Sequence, residues 1–470
     1  AESVNIGVGR LPVLNEQEAD QMIDKIEAYI NNTDYSNWRN KILIMEESGD
    51  DNIHMYQGAD LLKTLATTSS ADIDVKKYHI ESFILSNGIA RGAHNGVASV
   101  LQLAEFFQQG ALYVTYMGHG GGGGISNSGV WNINKVLETP IPRLPVISMA
   151  ACDIANFDSG VRGIGEIMVL TPERGAIGLF TTTRTVEANE NHIINSAFLK
   201  AMLTLNDDGT ARTLGEAYKL AKQAYGSAAS RNKMCYTLFA DPALRPSVPR
   251  PLIAINTING TAATDATVIK PMAKTVITGQ INTASGNIDT DFNGEVTVSI
   301  YDAEVLFKSF TYASVDTDVY HNRQLITETT AKVTNGAFTV ELVVPKECQA
   351  GKSGVIKVYA HNLDNSQVVN GANSNFTFAE YDEKDPETII DTEAPAIVNM
   401  YINDETAFAN EISVGPDFNI FIEATDNVAL SNQSQTIGRQ MTLVLDGVSY
   451  YDEVRGYANI EDNGKKLSIS

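Results

Sequence analysis

At 470 residues the chain exceeds what one ordinary hydrophobic core can organise, so roughly two to four domains are expected. Its apolar content of 43% suits globular packing, whereas 57 acidic against 34 basic residues give a net charge of −23. No basic patch offsets that repulsion, which excludes a nucleic-acid partner and leaves either a solvated acidic surface or an attraction for basic substrates.

Cys152, Cys235 and Cys348 are far apart and lack metal-ligand spacing, so a disulfide framework is not expected. No apolar run approaches the ~18 residues of a membrane-spanning helix. The segment from Ala1 to Arg10 reads as the interior of a domain with a short strand under way, and Lys465 to Ser470 stops inside a strand-like pattern. The sequence therefore reads as a piece of a longer protein, and a missing leader says nothing about location.

In chain order, Asn15 is a helix cap with Glu18 as its reciprocal partner. Ala19, Met22, Ile23, Ile26 and Ile30 mark the apolar face of the helix that follows. Ile42 to Met45 is a buried strand, Glu46 to Asp51 an acidic loop, Ala59 to Leu65 a short helix and Tyr78 to Ile80 another strand. Ala98, Leu101, Glu105, Phe106 and Phe107 lie on a helix ending near Gly110. The apolar strand Leu112 to Met117 then breaks into Gly118, His119 and the run Gly120 to Gly124. Pro145 to Ser148 is a strand running into Cys152, Ala176 to Phe180 is a later one, and Ile193 to Leu205 and Leu214 to Tyr225 are helical. This alternation over residues 1–245 predicts a three-layer α/β domain with buried parallel strands.

The pattern changes near Pro246. Val296, Val298 and Ile300, then Phe338, Val340, Leu342 and Val344, then Ile356, Val358 and Ala360 alternate with polar residues, which predicts a β-sandwich over 246–379. An acidic, proline-bearing linker follows at 380–393. Phe418, Ile420, Ile422 and Ala424, with Met441, Leu443 and Leu445, mark a second β-domain over 394–470, shorter than the hundred or so residues a sandwich wants.

His119 and Cys152 each follow the end of an apolar strand, where loops present chemistry over a rigid sheet. A histidine near a strand is commonly structural and a cysteine there a small core residue, so the argument rests on the pair. A thiol is mostly protonated near neutral pH, and His119 would take its proton or hold it as an ion pair. The Cys152 thiolate would then attack a scissile carbonyl, with the backbone amides of Gly120 and Cys152 as oxyanion donors. The glycines after His119 would let substrate backbone come close. Cys235 lies in an apolar run and reads as a small core residue, and Cys348 has no histidine near it in sequence. Trp131 reads as packing for the loop after His119, and Glu187 and Glu190 as candidate acids lining the cleft.

Several ordered motifs resemble the gingipain-like family of cysteine peptidases, with the type IX secretion sortases of Bacteroidota as the nearest branch. They are Ile6 to Pro12, Tyr116 to Gly120 with Trp131 beyond, Met149 to Cys152 with Phe157 and Asp158, Gly165-Glu166, Gly175 to Phe180 and Asp241-Pro242, together covering residues 1–245. The resemblance implies a caspase-like catalytic domain with a His119–Cys152 dyad, an upstream half-domain, and immunoglobulin-like modules after Pro246. The sequence departs from the family pattern at Ala240, where glycine is common, and in its unusually long glycine run.

For the segment Glu46 to His54 three readings stand side by side: a solvated acidic turn, a structural calcium site using Asp50 and Asp51, and a substrate-binding pocket. The calcium reading rests on hard oxygen donors, although the spacing is not that of an EF-hand. The pocket reading comes from the resemblance, in which Asp51 with His54 falls where gingipains contact a basic substrate side chain; otherwise His54 orients its loop. No cofactor is required by this chemistry. The resemblance implies removal of the C-terminal sorting domain of type IX cargo and transfer of the new carboxyl end to an amine of anionic lipopolysaccharide. It also implies outer-membrane attachment-complex partners and a cell-surface location. Hydrolysis alone, and a non-catalytic scaffold, are the alternatives.

Overall fold

The computed structural model describes residues 4–47, 49–80, 103, 106–126, 129–225, 230–264, 266–304, 306–308, 318–320, 323–364, 366–403, 418–428, 430, 442–445, 448–451, 458–461 and 465–469. Two compact units divide the chain, one of 1–250 with 306–322, the other of 251–305 with 323–470.

The first unit is built on a six-stranded sheet. Its strands are β1 (Lys41–Glu46), β2 (Asp74–His79), β3 (Tyr113–Met117), then, after three short strands, β7 (Val146–Ala150), β8 (Gly178–Thr182) and β9 (Tyr236–Phe239), in the order β2-β1-β3-β7-β8-β9. All neighbours are parallel except β8 and β9. The parallel pattern expected from sequence thus ends at an antiparallel edge strand. β9 follows directly on the one-turn helix Arg231–Cys235. Every residue of β3, β7 and β8 is buried, as strands covered on both faces require.

The covering helices are α1 (Glu16–Ile30), α2 (Gly49–Leu65), α3 (Ile133–Glu138), α4 (Ile164–Leu170), α5 (Ala188–Met202) and α6 (Leu214–Ala224). One set, α2, α5 and α6, packs together, with α2 against β1 and β3 and α5 against β7. The other set joins α1 and α3 through α4, which rests on β8 and β9. This is the three-layer arrangement the alternation predicts.

Details differ from the sequence reading. Asn15 does cap α1 by accepting the Glu18 N–H, but the Glu18 carboxylate accepts the Leu14 N–H, one residue before the expected partner. The inward face of α1 carries Met22, Lys25, Ile26 and Tyr29, and Ile23 and Ile30 face outward. Met22 is fully buried, so Met22→Ala would cost about 2–5 kcal/mol. Lys25 stays on that face because its Nζ lies 2.9–3.1 Å from the carbonyls of Met168, Val169, Thr171 and Arg174, which share its N–H groups at and just beyond the end of α4.

The expected acidic loop Glu46 to Asp51 is largely absent: Glu46 ends β1, and α2 already begins at Gly49, ten residues before the expected helix. Gly58 explains why that helix was hidden. A β-carbon there would collide with Oε2 of the buried Glu46 and force that carboxylate to move, which favours an interior glycine where helical propensity disfavours one. Ala98, Leu101 and Glu105 of the expected helix before Gly110 lie outside the described residues.

In the second unit, strands Ile253–Ile258, Thr261–Ala262, Lys274–Ile281 and Ala337–Val343 form one antiparallel sheet. Gly294–Tyr301, Leu325–Val333, Val355–Asn362 and Val368–Asn373 form another. Alternate residues of both, among them Ile277, Val296, Val298, Ile300, Phe338, Val340, Ile356 and Val358, share one apolar core. Further on, Ala396–Ile402, Ile420–Thr425, Ala458–Glu461 and Lys466–Ile469 make a separate four-stranded sheet. Met441 lies outside the described residues.

Candidate active site

Strands β3 and β7 are hydrogen-bonded neighbours, and their register pairs Met117 with Ala150. His119 and Cys152 each lie two residues beyond that last pair, so two residues distant in sequence leave the same end of the sheet level with each other. The Gly118 N–H donates to the Ala150 carbonyl at 3.4 Å and carries the pairing one step further.

The His119 backbone is held at three points. Its N–H donates to Glu47 Oε1 at 2.6 Å, and its carbonyl accepts from Tyr116 Oη at 2.8 Å and from the Ser126 N–H at 2.9 Å. Glu47 is buried at 3% exposure, and its Oε1 lies 4.0 Å from His119 Nε2, whereas the imidazole itself is 38% exposed. Gly118 makes this approach possible, because a β-carbon there would collide with Tyr116 Oη and Glu47 Cγ. Sequence reasoning assigned Glu47 to an acidic loop. The available signal was a carboxylate immediately after an apolar strand, and β1 adjoins β3 with Glu46 paired to Met117.

After His119 the chain forms a small sheet, β4 (Gly120–Gly121), β5 (Gly124–Ile125) and β6 (Trp131–Asn132). The Ser126 N–H bond to the His119 carbonyl marks 119 and 126 as a bonded pair. The next pair, Gly120 with Ile125, is therefore non-bonded, and Gly120 turns its N–H away from β5. β-Carbons on Gly121, Gly122 and Gly123 would meet nothing within 4 Å, so packing does not demand glycine there. Trp131 is buried and its ring lies 4.8 Å from that of Phe107, a packing role.

Cys152 is half-buried. Its approach is fixed by β8: Thr181 Oγ1 donates to the Met149 carbonyl at 2.8 Å, and Thr182 Oγ1 donates to the Ala151 carbonyl. The chain then turns sharply, with Asp153 in the left-handed region at φ +56°, where its N–H reaches the Arg184 carbonyl at 3.4 Å. Such a conformation costs on the order of 1–3 kcal/mol in a non-glycine residue. The Cys152 sulfur faces Val186, taking its N–H at 3.5 Å and lying 3.7 Å from its carbonyl oxygen.

Glu187, next along, is exposed, and its backbone is pinned at N–H and carbonyl by the buried Asn232 side chain at 3.1 and 2.8 Å. Glu190 accepts from Ser230 Oγ at 2.5 Å. His54 is 3% exposed, and its ring meets that of His119 edge-on at a centroid distance of 5.9 Å. Asp50 and Asp51 stand in the first turn of α2, and their side chains lie outside the described residues. Cys235 is buried, as its apolar surroundings require, although it closes a helix and does not lie in the strand; its carbonyl accepts from Thr183. Among the described residues no three His, Cys, Asp or Glu side chains are grouped to hold a metal, and no helix is long and apolar enough to cross a membrane.

A mostly parallel α/β sheet that sets a histidine, with a carboxylate behind it, level with a half-exposed cysteine supplies the groups that thiol-peptidase chemistry requires. The family model for peptidase family C25 matches residues 2–247, and the chain belongs to that family, the gingipain-like cysteine peptidases. No curated protein matches the sequence. Among solved structures it is similar to the Arg-specific cysteine proteinase gingipain R, at 14% identity over 79% of this chain and 75% of that one, with a TM-score of 0.42. It is also similar to dimeric latent PorU from Porphyromonas gingivalis, at 16% identity over 92% of this chain and a TM-score of 0.34. The match spans 51% of the PorU chain, about half its length.

Proposed function

We propose that this chain is the catalytic part of a cell-surface sortase that carries out thiol acyl transfer with Cys152 as nucleophile and His119 as base and acid. The observation that carries the reading is the Met117–Ala150 register, which brings these two residues out of one sheet side by side. Glu47 supports it by holding the His119 main chain and setting a negative charge behind the ring.

In the first half-reaction His119 holds the Cys152 proton while the thiolate attacks the scissile carbonyl and a carbon–sulfur bond forms. The oxyanion is met by the outward Gly120 N–H and the Cys152 N–H. The carbon–nitrogen bond then breaks, and His119 gives its proton to the departing amine. In the second half an incoming amine attacks the thioester, His119 takes its proton, and the thiolate leaves as the new amide forms. Water in place of the amine gives hydrolysis and a free carboxylate.

The substrates we infer are type IX cargo proteins, cut ahead of their C-terminal sorting domain, and the acceptor an amine of anionic lipopolysaccharide. The setting is the outer face of the outer membrane, in contact with attachment-complex proteins, and the negative charge of the chain argues against nucleic acid. The β regions 246–379 and 394–470, joined by the linker 380–393, are read as immunoglobulin-like modules following a catalytic domain of 1–245. A structural calcium ion at Asp50 and Asp51 is compatible with this chemistry but not needed by it.

Incubating the purified protein with sorting-domain cargo and a small amine, then weighing the products, tests the reading. Amine-capped cargo supports transfer, a free carboxylate alone supports a processing endopeptidase, and no cleavage supports a scaffold. Cys152→Ala and His119→Ala should each abolish product. Cleavage within tenfold of the parent in Cys152→Ala would remove Cys152 as the nucleophile.

A further inference from the structure

His54 and Gln57 lie one turn apart on α2, between the two halves of the site. Both are buried, at 3% and 5% exposure. The His54 ring stands perpendicular to the His119 ring, with an interplanar angle of 87°. On its other side His54 Nδ1 lies 3.1 Å from Gln57 Oε1, and Gln57 Nε2 donates to the Ala188 carbonyl at 3.0 Å. A backbone carbonyl only accepts, so the amide NH2 of Gln57 must face Ala188 and its oxygen must face His54. It follows that His54 Nδ1 carries a proton, and one tautomer of a buried ring is fixed by a main-chain group on another helix.

Ala188 opens α5 and lies two residues beyond Val186, whose peptide groups face the Cys152 sulfur. The contacts therefore run without a gap from the His119 ring through His54 and Gln57 to the segment against the thiol. Neither residue is needed to bury α2, whose apolar anchors are Met55, Leu61 and Leu65. A buried glutamine whose oxygen and amide are both engaged is held in one direction, and it holds its two partners in turn.

We propose that His54 and Gln57 form a positioning brace that sets the separation of His119 and Cys152, the one through ring contact and the other through the segment Val186–Ala188. The proposal rests on the reading of His119 and Cys152 as the reacting pair. It assigns His54 to the geometry of the reacting groups and not to the substrate side chain. The brace touches no substrate, so its loss should lower turnover and leave binding nearly unchanged.

The test uses Gln57→Leu, His54→Phe and the double variant in the full chain. Steady-state kinetics is run on a cleavable peptide, with the rate of Cys152 alkylation read by mass spectrometry. Each single variant should lower kcat about tenfold with KM unchanged, the scale of one net hydrogen bond. Alkylation should slow in step, and the double variant should be no worse than either single one, because one linkage is broken once. Losses that multiply to about a hundredfold in the double variant would mean independent roles and overturn the brace. So would parent-like kcat and alkylation in Gln57→Leu, whatever happens to Tm. If His54→Phe does not fold, Gln57→Leu decides alone. Parent-like activity in Cys152→Ala would remove the reading of the reacting pair, and the brace with it. Dead Cys152→Ala and His119→Ala beside a parent-like Gln57→Leu would remove only the brace.

Discussion

Glu47 engages His119 twice, accepting its main-chain N–H at 2.6 Å while the same oxygen lies 4.0 Å from Nε2. A unit charge at that distance interacts with an imidazolium by about 4 kcal/mol at an effective dielectric constant of ~20. The ring is open to water, so screening reduces this severalfold. Glu47→Gln keeps an oxygen for the N–H and removes the charge, and it should lower kcat/KM roughly tenfold with Tm nearly unchanged. Glu47→Ala also strands a backbone donor and should cost more in both activity and stability. Equal kcat/KM in parent and Glu47→Gln would show the carboxylate to be structural only.

The three thiols should separate cleanly in a labelling experiment. Burial, with Asp302 beside it, pushes the Cys348 thiol up to about 12, and Cys235 is buried at 8% exposure. Cys152 is half-exposed at the end of a strand. The thiolate is the reactive form, so brief iodoacetamide treatment of the folded protein near pH 7.5 should modify Cys152 well before the others. Peptide mapping that found Cys348 labelled first would contradict this account of the β-domain.

Lys25 makes stability depend on pH. Burial lowers its ammonium from 10.5 to about 7 in the folded protein. Between those values the unfolded chain binds more protons than the folded one, so this group makes stability rise with pH from about 7 toward 10.5. Its burial cost is fully present below about pH 7. Lys222, lowered to about 8 by burial, acts in the same sense. Lys25→Met should flatten the trend while losing the donor to the closing carbonyls of α4. Urea midpoints of parent and variant at pH 7 and pH 9.5 measure the difference, expected to be on the order of a few kcal/mol. A parent that loses stability relative to Lys25→Met over that interval would reverse the sign and refute the argument.

Local patterns were readable where one physical signal dominated. Strands β3 and β7 are largely apolar and buried at every residue because both faces are covered, and the change of composition that follows marks the sheet end where His119 and Cys152 emerge. The Asn15 cap and the period-two strands around Val296 and Phe338 were equally plain. What escaped depended on tertiary partners. The interior Gly58 disguised α2, since its reason for being glycine is the side chain of Glu46 on a different element. The burial of Lys25 depends on two carbonyls at the end of α4 and two just beyond it, which no local pattern shows. Gln57 carries no local signal and Glu47 only that of a carboxylate just after an apolar strand, because their importance lies in facing Ala188 and His119 across the fold.

Asp51 offers the sharpest test of substrate preference. It stands in the first turn of α2, three residues before His54, so a fixed helix and not a loose acidic turn carries it. A bland consequence follows from that position alone: an acid in a first turn stabilises the helix by about 0.3–1 kcal/mol. Asp51→Asn would then lower Tm slightly and leave all substrates equally well cut. If Asp51 meets a basic side chain of the substrate, the same change should reduce kcat/KM for Arg or Lys at the cleavage site by about 2–5 kcal/mol. An uncharged side chain at that position should be nearly unaffected. A calcium ligand predicts a third pattern, a general loss of stability that excess calcium repairs and a chelator reproduces in the parent. Measuring both substrate classes with chelator and with added calcium separates the three. A uniform small drop in Tm with no selectivity and no response to calcium would leave Asp51 as a helix-terminal acid and nothing more.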